Sequence, residues 1–331
     1  MRIAIIGAGL AGLSVTWHLL QLSAQITLFD PLGVGGGTSG SISAPLLHPF
    51  PGRLALSSWR STEGMAATLE LIAVAEAQLG RPVADRRGVL RLALTPQQKE
   101  DFLLRAKKDP RAEWWEADQV QRVAPLAVKA PALWIPSGMA IFSRLYLQGL
   151  WQACAAHGAQ LVPEAASGLE SYDAVVFATG AQLIDRLPLK LVQGHILLCR
   201  GDLPLTIASH GHISATEVPG VVQFGATYEP PTAMMVPEKA AELRDKIGLF
   251  YPPAKEWEAI ELRMGVRAAP QVGYRPIIAK LAHNQWALAG LGSRGLLYHA
   301  LLGRDLAEQI RSGLAGASAA ASSLDRSDNV Y

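Results

Sequence analysis

The chain opens with Arg2-Ile-Ala-Ile-Ile6, a short run that is apolar almost throughout. Runs of this kind mark strands buried on both faces of a parallel sheet, where the alternation of polar and apolar residues is lost. Gln25–Phe29 and the centre of Tyr172–Gly180 repeat the pattern. Between the first two runs, Leu13, Val15, Trp17, Leu19 and Leu20 fall in a segment free of Gly and Pro through Asp30, which predicts a helix. A long helix is expected between Arg53 and Gly80, where Met65, Leu69, Ile72 and Ala73 share one face. Val89–Leu94 and Ala132–Ile135 read as strands, and Pro96–Lys107 as a charged helix. Ser143 is the expected N-cap of a helix that turns Leu147, Leu150, Trp151 and Cys154 inward and closes at Gly158. His195–Leu198 and Val221–Phe224 alternate as antiparallel strands do. Trp286–Leu297 reads as strand, Gly turn and helix, the helix running to about Ile310.

A chain of 331 residues exceeds what one hydrophobic core ordinarily serves, so two lobes are expected. The predicted fold is α/β. A Rossmann-like dinucleotide-binding domain is assembled from 1–50, 140–190 and 265–312, and residues 51–139 and 191–264 form an inserted α+β substrate domain on an antiparallel sheet. From Gly313 to Tyr331 the composition falls to mostly Ala, Ser and Gly, and that tail is expected to be disordered.

Chemistry enters at the end of the first strand. Gly7-Ala8-Gly9-Leu10-Ala11-Gly12 joins strand to helix, and Asp30, followed by Pro31, stands 18 residues beyond the last glycine at the tip of the second strand. In that context the glycines allow a tight turn, a close approach to a pyrophosphate and close helix packing, while the acid accepts from a ribose. An acid there also disfavours a 2′-phosphate. A nicotinamide domain would continue with another strand and helix, whereas Gly35–Pro49, with Gly37, Thr38 and Ser39, is Gly/Ser-rich and irregular. FAD therefore fits better than NAD. Ala178, Thr179 and Gly180 end the later buried strand where a doubly wound sheet meets its ligand.

Composition narrows the classes further. No apolar run is long enough to span a bilayer, and the N-terminus enters a strand with no signal-peptide pattern, so a cytoplasmic protein is expected. Cys154 and Cys199 lie in apolar stretches far from any CxxC, which argues against a disulfide scaffold or zinc module. His210-Gly-His212 lacks a supporting acidic or thiol cluster, so no metal is assigned. Net charge is only +2, but Arg81–Arg111 holds nine Lys or Arg against four acids beside Trp114 and Trp115, a candidate surface for RNA that a solvated helix face explains equally well.

Taken in order, the Gly7–Gly12 motif, Asp30, Thr38-Ser39-Gly40, Ala178-Thr-Gly180, Gly265-Val-Arg267 and Gly292-Ser293-Arg294-Gly295 give a chain that resembles the D-amino-acid oxidase/glycine oxidase superfamily of FAD-dependent oxidoreductases. Within it, Leu291–Leu296 and the Gly/Ser loop look most like the FAD oxidoreductase domain of MnmC-type tRNA-modifying enzymes. The resemblance implies hydride transfer to flavin N5 from the carbon between nitrogen and carboxylate. It also implies conversion of 5-carboxymethylaminomethyluridine to 5-aminomethyluridine plus glyoxylate. A free amino-acid enzyme of glycine-oxidase or sarcosine-oxidase type and a non-catalytic flavin-binding protein stand as alternatives. Arg267 matches the family arginine and is expected to hold a substrate carboxylate by paired, charge-assisted hydrogen bonds. Arg294 is a second carboxylate or flavin contact, and Gly292 through Leu296 open a helix whose amides favour an anionic ring. His48 is expected near the isoalloxazine, accepting the amine proton or modulating the flavin, with Tyr228 and Tyr298 as pocket candidates. Ala269–Pro276 lacks the acid usual in this family, so the substrate is expected to differ in detail.

Overall fold

The computed structural model describes residues 1–37, 45–232 and 234–324. Thr38, Ser39 and Gly40 therefore lie outside the described residues. With strands numbered in chain order, one sheet contains β1 (Arg2–Ile6), β2 (Gln25–Phe29), β9 (Gln160–Val162), β10 (Ala174–Phe177), β16 (Ile277–Ala282) and β17 (Gln285–Ala289), arranged β16-β17-β10-β1-β2-β9. All neighbours pair in parallel except β16 with β17. This is why the apolar runs at Ile3–Ile5 and Ala174–Val176 do not alternate: both strands are central and covered on both faces.

Helices α1 (Leu10–Leu20), α2 (Ser61–Leu79), α5 (Ser143–Ala156) and α7 (Gly295–Leu324) share the largest core with one face of that sheet. α1 and α7 approach closely where Ser14 Oγ donates to the His299 carbonyl at 2.7 Å. A second sheet contains β5 (Val89–Leu92), β6 (Glu113–Trp115), β7 (Ala132–Ile135), β11 (Leu189–Arg200), β12 (Thr206–Ala208), β13 (His212–Ala215), β14 (Val221–Gly225) and β15 (Ala259–Pro270), in the order β15-β11-β14-β13-β12-β5-β7-β6. Its core closes against α4 (Ala117–Val123) and α6 (Lys239–Gly248). β3 (Leu46–Leu47), β8 (Met139–Ile141) and β4 (Ala84–Asp85) form a small third sheet, and α3 (Pro96–Lys108) covers a satellite cluster around Phe50 and Phe102.

Several expectations are corrected here. The helix anticipated from Arg53 begins only at Ser61, because Ala55 and Arg60 hold left-handed backbone, with φ of 47° and 46°. Ser143 is the first helical residue rather than the cap; Phe142 takes that place, and the Ser143 hydroxyl is buried with no partner among the described residues. Residues after Gly313, expected to be unstructured, continue α7 to Leu324. Alanine and serine carry modest or no helix penalty, so poverty of composition does not end a helix already nucleated by packing. Among the described residues, no helix is long and apolar enough to cross a membrane.

Candidate active site

β1 delivers the chain into the turn at Gly7, whose φ of +107° excludes an L side chain and whose Cβ would come 2.6 Å from the Ala178 carbonyl oxygen. Gly12 is equally constrained, since a Cβ there would lie 1.8 Å from the Gly7 carbonyl. Gly9 differs. Its backbone is extended, and among the described residues an added Cβ would meet no atom within 4 Å. Nothing in the packing of the described residues demands glycine at this position, yet it lines a cleft of about 700 Å³. A close-lying ligand supplies the reason, and the uncapped N-terminus of α1 supplies amides and a positive end for a phosphate. Asp30 reinforces the turn: one carboxylate oxygen accepts from the Ala8 amide at 2.7 Å and the other from the Leu32 amide at 2.9 Å. Each keeps lone-pair capacity for a ribose hydroxyl. These residues fit an adenine dinucleotide.

The same cleft runs along the carboxyl ends of β1, β10 and β17. Gly7, Gly9, Leu10, Ala11, Asp30, Pro31, Gly37, Ala178, Thr179, Gly180, Gly292, Ser293, Gly295 and Leu296 all line it. Ala8 and Gly12 serve it from behind, through the Asp30 bond and the helix contact. Glu164–Ala166, Leu169 and Leu46 also line it and carry no motif that would single them out in the sequence.

Arg267 enters from β15. It is 7% exposed, lines the cleft, donates from Nη2 to the Thr227 carbonyl at 3.3 Å and lies 4.6 Å over the Tyr228 ring. Among the described residues no acid pairs with it. A buried guanidinium without a carboxylate is costly unless a ligand provides one. Its seat depends on Gly194, which faces Gly265 across the β11–β15 register; a Cβ at Gly194 would stand 1.9 Å from Arg267 Nη2. Glycine inside a strand signals this kind of close approach, and Gly194 was the overlooked clue.

Other candidates sit elsewhere. Arg294 does not line the cleft; its guanidinium lies 4.2 Å over the Tyr274 ring. Tyr228 is 61% exposed and supports Arg267 from outside. Tyr298 is wholly buried with its hydroxyl donating to the Trp59 carbonyl, so it is a packing residue. His48 accepts from the Phe50 amide through Nδ1 at 3.3 Å, and burial, with Arg91 and His212 nearby, pulls its pKa down to about 3. It is a poor proton acceptor at neutral pH, which disfavours one of its two expected roles, accepting the amine proton, and leaves the other. His212 is buried against Gly225.

The basic segment is partly engaged in the fold. Arg86 pairs with Glu76, Arg87 with Asp85 and Arg111 with Asp109, while Arg105 donates to the Ala55 carbonyl. Arg91 is buried, its Nη1 donating to the Phe50 carbonyl and its Nη2 to the Gly52 carbonyl at 2.6 Å. Trp115 stacks on Trp134, and both Trp114 and Trp115 donate their indole N–H to neighbouring glutamates. Five of the nine cations thus serve the fold, and Arg81, Lys99, Lys107 and Lys108 are not among them.

The chain is similar to known proteins over most of its length. The model of a family described as FAD-dependent oxidoreductase (DAO) matches residues 2–309. The tRNA 5-methylaminomethyl-2-thiouridine biosynthesis bifunctional protein MnmC of Maricaulis maris (strain MCS10) is 28% identical over 333 residues, 94% of this chain and 52% of that protein. Its namesake from Azoarcus sp. (strain BH72) is 27% identical over 364 residues, 93% of this chain and 56% of the other. The chain spans about half the length of the curated relatives it matches. Among solved structures, glycine oxidase from Bacillus cereus ATCC 14579 superposes with a TM-score of 0.80 at 19% identity, covering 94% of this chain and 95% of that one. Iminodiacetate oxidase from Chelativorans sp. BNC1 gives 0.80 at 22% identity, with the same coverage of each.

Proposed function

Because the chain belongs to the DAO family of FAD-dependent oxidoreductases, acting on C–N bonds, we propose that its substrate is a carboxymethylamine borne on tRNA. In this reading 5-carboxymethylaminomethyluridine becomes 5-aminomethyluridine and glyoxylate is released. The observation that carries it is Arg267, a buried guanidinium on the cleft wall with no acid of its own.

Gly7, Gly9, Asp30 and the α1 N-terminus would hold the dinucleotide's phosphates and ribose, with Gly292–Leu296 toward the ring. Bound FAD supplies the two-electron oxidation of the C–N bond, and water then cleaves the product imine. The chain's own residues bind and orient. Arg267 takes the carboxylate in a fixed plane, braced by the Tyr228 ring and the Thr227 carbonyl. Its charge also disfavours a second cation beside it, which keeps the substrate amine neutral without a dedicated base. That account agrees with the low basicity of His48.

A free amine such as glycine or N-methylglycine is the second reading, favoured by the internal pairing of the Arg81–Arg111 cations. Incubating the yellow holoprotein with tRNA that retains the carboxymethyl group, followed by nucleoside mass spectrometry, separates the two. Appearance of the aminomethyl nucleoside supports the tRNA reading; glyoxylate from glycine alone overturns it. With either substrate, Arg267→Ala should lower kcat/KM by roughly 30- to 5,000-fold, chiefly through KM, since truncating a buried charge partner costs about 2–5 kcal/mol. Flavin should stay bound. Loss of flavin with unchanged kinetics in the remaining holoenzyme refutes the anchoring role.

A further inference from the structure

We propose that an arginine–aromatic patch at the lip of the cleft, built from Tyr274, Arg275 and Arg294 and braced by Trp59, seats a single-stranded segment of the RNA substrate. This rests on the tRNA reading above and names the surface that reading requires.

The loop after β15 carries the patch. Val272 is 90% exposed and Tyr274 68%, on the same strand-to-loop path that places Arg267 inside the cleft. Arg294 lies 4.2 Å over the Tyr274 ring, and its neighbours Ser293 and Gly295 line the cleft. Arg275 lies 5.2 Å over Trp59, and Trp59 in turn packs 5.9 Å from Tyr298 on α7. One continuous surface results, Arg294–Tyr274–Arg275–Trp59, beginning at residues adjacent to the cleft wall.

Charge separates these cations from Arg86, Arg87 and Arg111 of the basic segment, each of which is paired with an acid. Neither Arg275 nor Arg294 has an acidic partner among the described residues. Glu63 and Asp305 are both held by Arg60, whose guanidinium lies 5.4 Å over the Trp59 ring. Two unneutralised guanidiniums interleaved with rings suit phosphates and base faces together, whereas an apolar peptide would gain little from them. RNA is read mainly at unpaired loops whose bases splay onto aromatic side chains. A base-borne arm reaching Arg267 must leave its flanking nucleotides at this lip. Tyr274 offers a largely open ring to one of them, and Arg275 and Arg294 offer charge to their phosphates.

The test titrates the holoenzyme with fluorescent tRNA and with its anticodon stem-loop over a series of KCl concentrations, beside turnover of N-methylglycine. Arg275→Ala should weaken RNA binding about tenfold and reduce the log K against log salt slope by about 0.7–0.9, as one lost phosphate contact does. Arg275→Lys should retain the slope. Tyr274→Ala should weaken binding about tenfold with the slope unchanged, as loss of one stacked base does. Turnover of the free amine should move less than twofold in all three, with flavin absorbance intact. If the wild type modifies tRNA while all variants match its affinity and slope, the patch is wrong and the function stands. A wild type that oxidises glycine but neither binds nor modifies tRNA removes both.

Discussion

Two glycines of one motif make opposite demands on the protein. At Gly12 the missing Cβ is required by the Gly7 carbonyl, whereas at Gly9 the space in front of the residue is open and belongs to the cleft. Gly9→Ser should therefore fold as well as the parent or better, because serine is a favoured helix N-cap, while affinity for FAD falls at least tenfold. Thermal melting of the apoprotein and flavin titration read the two effects apart; retained FAD affinity would show that the pyrophosphate lies elsewhere. Gly194→Ala makes the complementary case on the substrate side. Its methyl would occupy the place of Arg267 Nη2, so KM for a carboxylate substrate should rise at least tenfold with the flavin spectrum unchanged. A normal KM would mean the guanidinium has another seat. Gly7, Gly12 and Asp30 were legible because turn, helix and strand tip lie within thirty residues of one another. Gly194 and Arg267 meet only through strand register, 73 positions apart, and no local pattern announces that.

At the scale of elements, the cleft floor depends on how closely α7 lies against α1 and α2. Gly303 faces Ser14, where a Cβ would come 2.2 Å from the hydroxyl and 3.0 Å from backbone carbon, and Gly64 faces the Leu297 carbonyl at 2.3 Å. The first turn of α7 carries Gly295 and Leu296 into the cleft, so separating these helices also moves the ring end of the site. Gly303→Val should destabilise the protein by about 1–3 kcal/mol, read as a lowered denaturant midpoint, since rotating the Ser14 hydroxyl cannot clear its backbone. An unchanged midpoint would mean the helix pair yields freely. Long periodic elements such as α3, α5 and the antiparallel partners β11 and β14 were readable from spacing. β3, β4 and β6 were not, because two or three residues cannot establish a period. Their strand character comes from the partner they find.

For the whole molecule, stability is tied to histidines that the fold keeps neutral. Burial, the largest cause in each case, lowers His18 and His299 to about 4 and His48 and His212 to about 3. His299 is fully enclosed, Nδ1 donating to the Gly295 carbonyl at 3.0 Å and Nε2 accepting from the Tyr146 hydroxyl at 2.6 Å, which fixes its neutral tautomer. His212 faces Arg267 and Lys246, and its Nε2 has no partner among the described residues. Because the folded values lie below the ordinary 6.5, the unfolded chain takes up protons first as pH falls. The stabilising contribution is complete above about pH 6.5 and is lost progressively toward pH 4 and 3. At pH 5 each fully buried histidine then costs about 2 kcal/mol, a large share of the roughly 5–15 kcal/mol that holds a typical protein folded. The melting temperature should be flat above neutrality and fall steeply between pH 6 and 4.5, before most carboxylates titrate. His212→Met removes one of these groups while leaving an apolar side chain in its place. Its stability should decline more gently across that interval, by about 1.4 kcal/mol per pH unit; a slope equal to the wild type would show that His212 is protonated in the folded protein or exposed to water.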